Sequence, residues 1–453
     1  MTYALQNKLN EFLEETMDLY DLPGLAVGVS VGLDEKSPDY HFEFTGARGY
    51  GAYKAVHGHD SGSEFQLQPE DIFHCASVSK LFTSSAVMKL VEAGVIGLYD
   101  RLCNLLPDIK PCIADWRFDE IRLWNMLTHT SGLGDCYDYE WEKAETDDAS
   151  LARYVYSHKD CISQPMLWCP QLNPEFYGVP ETDENGNPLV DEKGAPRSLF
   201  RYSNVAYEIL GQIVAEYSDR MPDAEGPLSY EDFVSKYLLE PAAMNSSTMK
   251  TFERPGWSSK VSLMQNQATG LQGQTALISG FSPMALPHEK ADDRSIKLVE
   301  IYPYNRKHAP SSTLTSTTAD LLKWGRAHMQ SAAGRSETAA RNELLLHKET
   351  YDSIWRDYAT VPNNGEKMGL GWFMRKQTVN TSHGSKEYTL YGHEGTDDGF
   401  RASFWMCPEL EMVTVVLSNL SNAPVKKINK KLFETIIKSE SKTTLKHPIL
   451  EGI

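Results

Sequence analysis

The segment Phe73-His74-Cys75-Ala76-Ser77-Val78-Ser79-Lys80-Leu81-Phe82-Thr83 runs on to Val87-Met88-Lys89-Leu90-Val91-Glu92-Ala93-Gly94. Positions 81, 82, 87, 88, 90 and 91 are apolar, which suits a well-buried helix, and Gly94 suits its stop. Ser77 then falls at the helix N-terminus, where the positive end of the helix dipole favours a developing alkoxide. Lys80 lies on the same face, beside the hydroxyl. Buried there, a lysine loses its proton more readily and can act as a general base. Alone, Ser-x-x-Lys is also an ordinary helix start with a solvated lysine. It recurs at Ser247 with Lys250 and at Ser439 with Lys442.

Two further motifs select among the three. Tyr-x-Asn occurs only at Tyr202-Ser203-Asn204, and His-x-Gly only at His393-Glu394-Gly395. Ser77 alone precedes both. A serine, a lysine one turn later, a tyrosine with an asparagine, and a histidine before glycine outline an acyl-serine enzyme. Tyr202 also reads as a buried tyrosine opening a helix through Val205, Ala206, Ile209, Leu210 and Ile213. His393 also reads as a satisfied histidine on an antiparallel strand, and small changes in surroundings decide its charge near neutral pH.

The motifs together resemble the class C β-lactamase superfamily, which includes serine DD-peptidases, D-aminopeptidases, family VIII-type esterases and some acyltransferases. The likeness covers nearly the whole chain. Leu22-Pro23-Gly24-Leu25-Ala26-Val27 resembles the first inner strand, and Gly94-Val95-Ile96-Gly97-Leu98-Tyr99-Asp100 the turn after the nucleophile helix. Leu127-Thr128-His129-Thr130-Ser131-Gly132-Leu133, Gly369-Leu370-Gly371-Trp372 and Tyr391-Gly392-His393-Glu394-Gly395 with Gly399-Phe400-Arg401 are similar to further family blocks. The resemblance implies that Ser77 attacks the acyl carbonyl and Lys80 takes its proton. Tyr202 carries a proton to the leaving group, and Asn204, His393, Glu394 and Gly395 hold substrate. Backbone N–H groups of Ser77 and Thr396 form the oxyanion hole. No metal and no cofactor is expected.

One departure bears on substrate choice. Such enzymes usually carry Ser or Thr where this chain has Glu394, and that hydroxyl helps hold a substrate carboxylate. A carboxylate there would repel an anionic substrate, so a neutral or cationic one is expected. The alternative is that Glu394 turns away and pairs with a surface base. Ser312-Thr313 stands near where a Gly-Gly is common, a change expected to reshape the pocket floor.

The expected fold is α/β (α+β), β-lactamase/transpeptidase-like, in one catalytic unit over 1–453. Strands at Ala26–Val31, His41–Thr45, Ser403–Met406 and Met412–Leu417 pair in one antiparallel sheet. An opening helix (Leu5, Leu9, Phe12, Leu13) and a closing helix (Val425–Ile437) flank it. About 1–70 and 300–453 form this sheet lobe, about 71–299 a mainly helical lobe, and the active site lies in the cleft between them.

The 453 residues carry a net charge of −18, which disfavours nucleic acid and anionic membranes as partners. The expected partner is a small-molecule acyl substrate, with self-association into a homo-oligomer left open. No apolar run reaches membrane-spanning length and no secretory signal is visible at the first residues, so a cytoplasmic location is expected. Seven cysteines without paired metal spacing read as reduced thiols. His57-Gly58-His59-Asp60 reads as a surface loop, 181–194 as a polar hairpin before Tyr202, and Ser282–Pro310 as a long loop on the cleft rim or at a subunit contact. The leading expectation is a serine esterase on small or medium acyl esters. The alternatives are an amide hydrolase (D-aminopeptidase, DD-peptidase or β-lactamase), an acyltransferase, or an inactive scaffold of the same fold.

Overall fold

The computed structural model describes residues 2–33, 41–52, 65–111, 114–135, 139–141, 144–157, 161–162, 200–253, 284–299, 301–335, 345–362, 364–382 and 384–440. Its centre is a nine-stranded sheet. In chain order the strands are β1 (Gly24–Val31), β2 (Phe42–Ala52), β3 (Phe65–Gln66), β4 (Ala359–Thr360), β5 (Lys367–Met368), β6 (Phe373–Thr381), β7 (Gly384–Asp397), β8 (Phe400–Cys407) and β9 (Met412–Ser418). They lie in the order β3-β2-β1-β9-β8-β7-β6-β5-β4, every neighbouring pair antiparallel. The centre joins distant stretches of chain, with Leu25 opposite Ser418 and Val31 opposite Met412.

The sheet is covered on both faces, so its two central strands, β1 and β9, are mostly apolar on both sides rather than alternating. Every residue of β1 and of β9 is buried. On one face Leu25, Val27, Val29, Met412 and Val416 pack with Leu5, Leu9, Phe12 and Leu13 of α1 (Thr2–Tyr20). The closing helix (Val425–Glu440) adds Ile428, Leu432, Phe433 and Ile436 to that layer. The four α1 positions recur at helical spacing, and each such burial stabilises by roughly 1.5–3 kcal/mol. On the other face Ala26, Val413, Val415 and Leu417 join a second core that includes Leu321, Leu322 and Trp324 of the helix Thr318–Ala332.

Within that core lies α2 (Ser79–Glu92), with eleven residues buried from Ser79 to Leu90. That enclosure suits its apolar content. Phe82 stacks on Trp324 at 4.0 Å between ring centroids, which ties α2 to a helix packed on the sheet, Thr318–Ala332. A second buried helix, α3 (Asn204–Glu216), is N-capped by Ser203, whose hydroxyl accepts from the Ala206 N–H at 3.2 Å.

The described part of 282–310 is not a plain loop: His288–Lys290 and Ile296–Leu298 pair as a small hairpin. Residues 57–60 and 181–194 lie outside the described residues. Among the described residues no helix is long and apolar enough to cross a membrane. Among the described residues Cys75, Cys103, Cys161 and Cys407 are not joined in disulfides.

Candidate active site

Ser77 sits in a single 3-10 turn, Ala76–Val78, just ahead of α2 rather than in its first turn. Ala76 holds φ at +48°, a left-handed conformation that costs a non-glycine residue roughly 1–2 kcal/mol. Neighbouring hydrogen bonds enforce it. The Cys75 N–H donates to Leu314 O at 2.8 Å, and the Ser79 hydroxyl donates to Ala76 O at 2.7 Å. The same Ser79 oxygen accepts from the Leu314 N–H at 2.9 Å. The turn turns Ser77 outward: from 71 to 80 it alone is not buried.

Lys80 is fully buried, and its Nζ meets three oxygens. They are Ser77 Oγ at 3.1 Å, Asn204 Oδ1 at 2.6 Å and the Ser311 carbonyl at 2.9 Å. Burial pulls the Lys80 ammonium down to about 8, opposed by the carboxylates of Glu208, Asp135 and Asp397. Asn204 is oriented from the far side. Its Nδ2 donates to Asp135 Oδ2 at 3.0 Å and to the Tyr139 hydroxyl, and its N–H donates to Asp135 Oδ1 at 2.8 Å. That network fixes the amide oxygen toward Lys80.

Tyr202 precedes α3 and shares a hydrogen bond with Ser77. Burial raises its hydroxyl well above the ordinary tyrosine range, so it stays a phenol at neutral pH. His129 stacks on the Tyr202 ring at 4.3 Å and 28°. The His129 Nδ1 accepts from the Ser203 N–H at 3.1 Å, and its carbonyl accepts from the Arg201 N–H at 2.8 Å. His129 therefore grips the chain on both sides of Tyr202. Burial holds its imidazole well below the usual histidine range, with Lys80 adding to the effect.

β7 forms the opposite wall. β6 begins at Phe373, opposite Gly392, so among the described strands β7 is paired from His393 onward only with β8. This free edge runs beside the Ser77 turn. A Cβ on Gly395 would come within 2.2 Å of the Cys75 carbonyl, so only glycine allows that approach. Thr396 follows it and is exposed.

Side chains alternate along β7. Tyr388 and Leu390 face the layer under the closing helix, whereas Tyr391 packs on the opposite core, its ring stacked on Trp355 at 4.5 Å. His393 shares the face of Tyr391 and lies 6.1 Å from Tyr202, ring to ring. Glu394 points to the other face. Its Oε1 accepts from Trp405 Nε1 at 2.7 Å and lies 3.7 Å from Arg375 Nη1. Glu394 is thus corrected from a substrate-facing carboxylate to one held behind the sheet, because strand alternation sends neighbouring side chains to opposite faces. Gly395 contributes close backbone packing and has no side chain to offer substrate.

Several residues at the site were not singled out from sequence as site residues. Asp397 accepts from Ser312 Oγ, and its Oδ2 is 2.7 Å from His74 Nε2. Glu208, one turn after Asn204, accepts from Ser311 Oγ at 2.6 Å and lies 3.1 Å from His308 Nδ1. His129 stands inside a quoted motif, and Asp135 follows it closely. Among the described residues no group of three or more His, Cys, Asp or Glu is placed to hold a metal.

A serine and a buried lysine beside a nine-stranded antiparallel sheet with helices on both faces are the arrangement of the β-lactamase fold. The chain belongs to the Beta-lactamase family, whose sequence model matches residues 9–435. A probable hydrolase, M10, of Phoma sp. (strain ATCC 20986 / MF5453) is 27% identical over 217 residues, 45% of this chain and 32% of that protein. The chain thus spans about a third of that relative. Penicillin-binding protein 4 of Amycolatopsis lactamdurans is 21% identical over 367 residues, 79% of this chain and 74% of its own. The D-amino acid amidase of Ochrobactrum anthropi SV3, solved with L-phenylalanine amide, superposes with a TM-score of 0.63 at 15% identity. That match covers 96% of this chain and 99% of the amidase.

Proposed function

We propose that the protein hydrolyses small or medium acyl esters through an acyl-Ser77 intermediate. The observation that carries this reading is the set of oxygens around Lys80 Nζ. Two of them, Asn204 Oδ1 and Ser311 O, can only accept. The third, the Ser77 hydroxyl, can accept or donate. When Lys80 gives up a proton, its two remaining N–H groups stay on the obligate acceptors. The lone pair then faces Ser77 and can take its proton as Oγ attacks the carbonyl.

The new oxyanion would be held by the Ser77 and Thr396 N–H groups. On collapse, the phenol of Tyr202 would donate its proton to the leaving atom and recover one from the Lys80 ammonium. Water then repeats the sequence on the acyl-enzyme, freeing Ser77. Asn204 and His393 would line the acyl-binding side. The cleft wears a negative aspect, since Asp135 and Asp397 act on both Lys80 and Tyr202. This keeps the expectation of a neutral or cationic substrate, now resting on those carboxylates rather than on Glu394.

Amide hydrolysis is the second reading. An amine leaves only when protonated, and the Tyr202 phenol beside the nucleophile would supply that proton. The likeness to a D-amino acid amidase supports the same alternative. Turnover of p-nitrophenyl acetate and butyrate, nitrocefin and D-alanine p-nitroanilide by wild type and Ser77→Ala tests both. Ester hydrolysis lost in Ser77→Ala is the expected result. Activity unchanged by that substitution refutes the acyl-serine reading, and dominant anilide turnover promotes the second.

A further inference from the structure

From His393 onward β7 has a partner strand on one side only, because β6 begins at Phe373, opposite Gly392, and β8 alone continues beside it among the described strands. Thr396 lies on this half-supported stretch. The acyl-Ser77 reaction needs its N–H at a fixed place relative to Ser77, and an edge strand has no ladder on its open side to fix it. The side chain of the next residue, Asp397, stands in for the missing partner.

The Asp397 side chain is 9% exposed, and one of its oxygens, Oδ2, is bonded from two directions. His74 Nε2 lies 2.7 Å from it, and the Ser312 hydroxyl donates to it. A carboxylate oxygen only accepts, so His74 Nε2 is a donor. The His74 ring is fully buried, set edge-on to Tyr302 at 5.8 Å and against Phe400 at 5.6 Å between centroids. Its Nδ1 has no hydrogen-bond partner, so the ring's polar tie is the one to Asp397. The His74 main chain pairs with Thr315, and the neighbouring Cys75 N–H donates to Leu314 O at 2.8 Å. From the β8 side, Arg401 Nη1 donates to the Asp397 carbonyl at 2.8 Å. Three pieces of chain therefore meet at Asp397. They are the strand just ahead of Ser77, the segment whose Ser311 carbonyl holds Lys80, and the β7 edge that carries Thr396.

We propose that His74 and Asp397 are positioning residues whose hydrogen bond, braced by Ser312, sets the spacing of the Ser77 and Thr396 N–H groups that receive the oxyanion. This rests on the acyl-Ser77 reading. Gly395 packed on the Cys75 carbonyl limits how near the β7 edge can come to the Ser77 turn. The His74–Asp397 bond limits how far that edge can retreat. Contact and tether together fix a distance that neither fixes alone.

The test is p-nitrophenyl butyrate hydrolysis by wild type, Ser77→Ala, His74→Phe, His74→Gln and Ser312→Ala, with folding checked by circular dichroism. Phenylalanine keeps a ring and removes the donor, whereas glutamine keeps an N–H at about the reach of Nε2. Both leave in place the Asp397 carboxylate, which also acts on Lys80 and Tyr202. The oxyanion forms only in the tetrahedral states, so its misalignment lowers kcat and spares KM. His74→Phe is expected to lower kcat by about 30-fold to 100-fold, with KM within about twofold of wild type. His74→Gln is expected to recover kcat to within about fivefold of wild type. Ser312→Ala removes a single oxygen and stands in where His74→Phe does not fold; its kcat is expected to fall about fivefold. An unchanged kcat in His74→Phe or in Ser312→Ala, an equal loss in His74→Phe and His74→Gln, or an effect on KM alone overturns the inference. Wild-type turnover that is absent, or that persists in Ser77→Ala, overturns the acyl-serine reading instead, and the inference with it.

Discussion

In the proposed acyl-Ser77 reaction, replacing Glu208 by glutamine should raise activity at neutral pH. Glu208 receives the hydroxyl of Ser311, and the Ser311 carbonyl holds Lys80 Nζ at 2.9 Å. Its carboxylate is the largest influence holding a proton on Lys80 against burial. With Lys80 at about 8, roughly a tenth of the molecules carry the neutral amine at pH 7. Glutamine can still accept from Ser311 but removes the charge. Loss of a nearby opposite charge moves such a group by on the order of one pKa unit, here downward. The wild-type kcat/KM should therefore rise with pH and level off above about 8, where the neutral amine predominates. In Glu208→Gln the rise should shift about one unit toward acid, and the value at pH 7 should increase several-fold. The assay is p-nitrophenyl butyrate hydrolysis from pH 5.5 to 10, read at the isosbestic wavelength of nitrophenol. An acid limb at the same pH in both proteins would refute Lys80 as the titrating base.

Gly395→Ala drives a methyl into the Cys75 carbonyl, 2.2 Å away, so the β7 edge must retreat from the Ser77 turn. It should cost about 1–3 kcal/mol in urea unfolding and slow fluorophosphonate labelling of Ser77 far more than that loss explains. Ser203→Ala removes the cap on Ala206 and the 2.9 Å bond to Gly134 O, so it should lower stability by about 1 kcal/mol. Equal melting temperatures for that variant and wild type would contradict this account of α3. His288, His328 and His393 are buried and drawn down to about 4, 3 and 3. Their folded values lie below the unfolded one, so the unfolded chain binds more protons. The stability they contribute is complete above about pH 6.5 and is lost as pH falls toward 3–4, on the order of 1 kcal/mol per pH unit for each. Urea titrations at pH 7.5 and 5 should show it, with a weaker pH dependence in His328→Gln; identical slopes would refute the assignment.

The motif spacing identified the residues that converge, because each sits in a short local signature: Ser77 with Lys80, Tyr202 with Asn204, and His393 before Gly395. The apolar runs of β1 and β9 and the helical stripe of α1 likewise made the layered sheet legible. The polar groups that tune the site were not legible. Asp135 meets Asn204 across 69 positions, and Ser311 meets Lys80 across 231, so no local pattern links them. The Glu394 orientation was open in principle. A buried histidine facing one side of a strand sends its neighbour to the other, but only the pairing of β6 and β8 with β7 shows what waits there.

The sheet's central seam has a consequence for synthesis. Ser418 Oγ donates to Gly24 O across 394 positions of chain. While a ribosome is still making the helical lobe, β1 and β2 exist without their inner partner. The open edge of β1, mostly apolar, is then a surface on which nascent chains can pair with one another. The chain must therefore wait for its last strands before the sheet, and with it the wall opposite Ser77, can close. Long-range closure of this kind is slow, so the edge stays open for longer than one closed by a local hairpin.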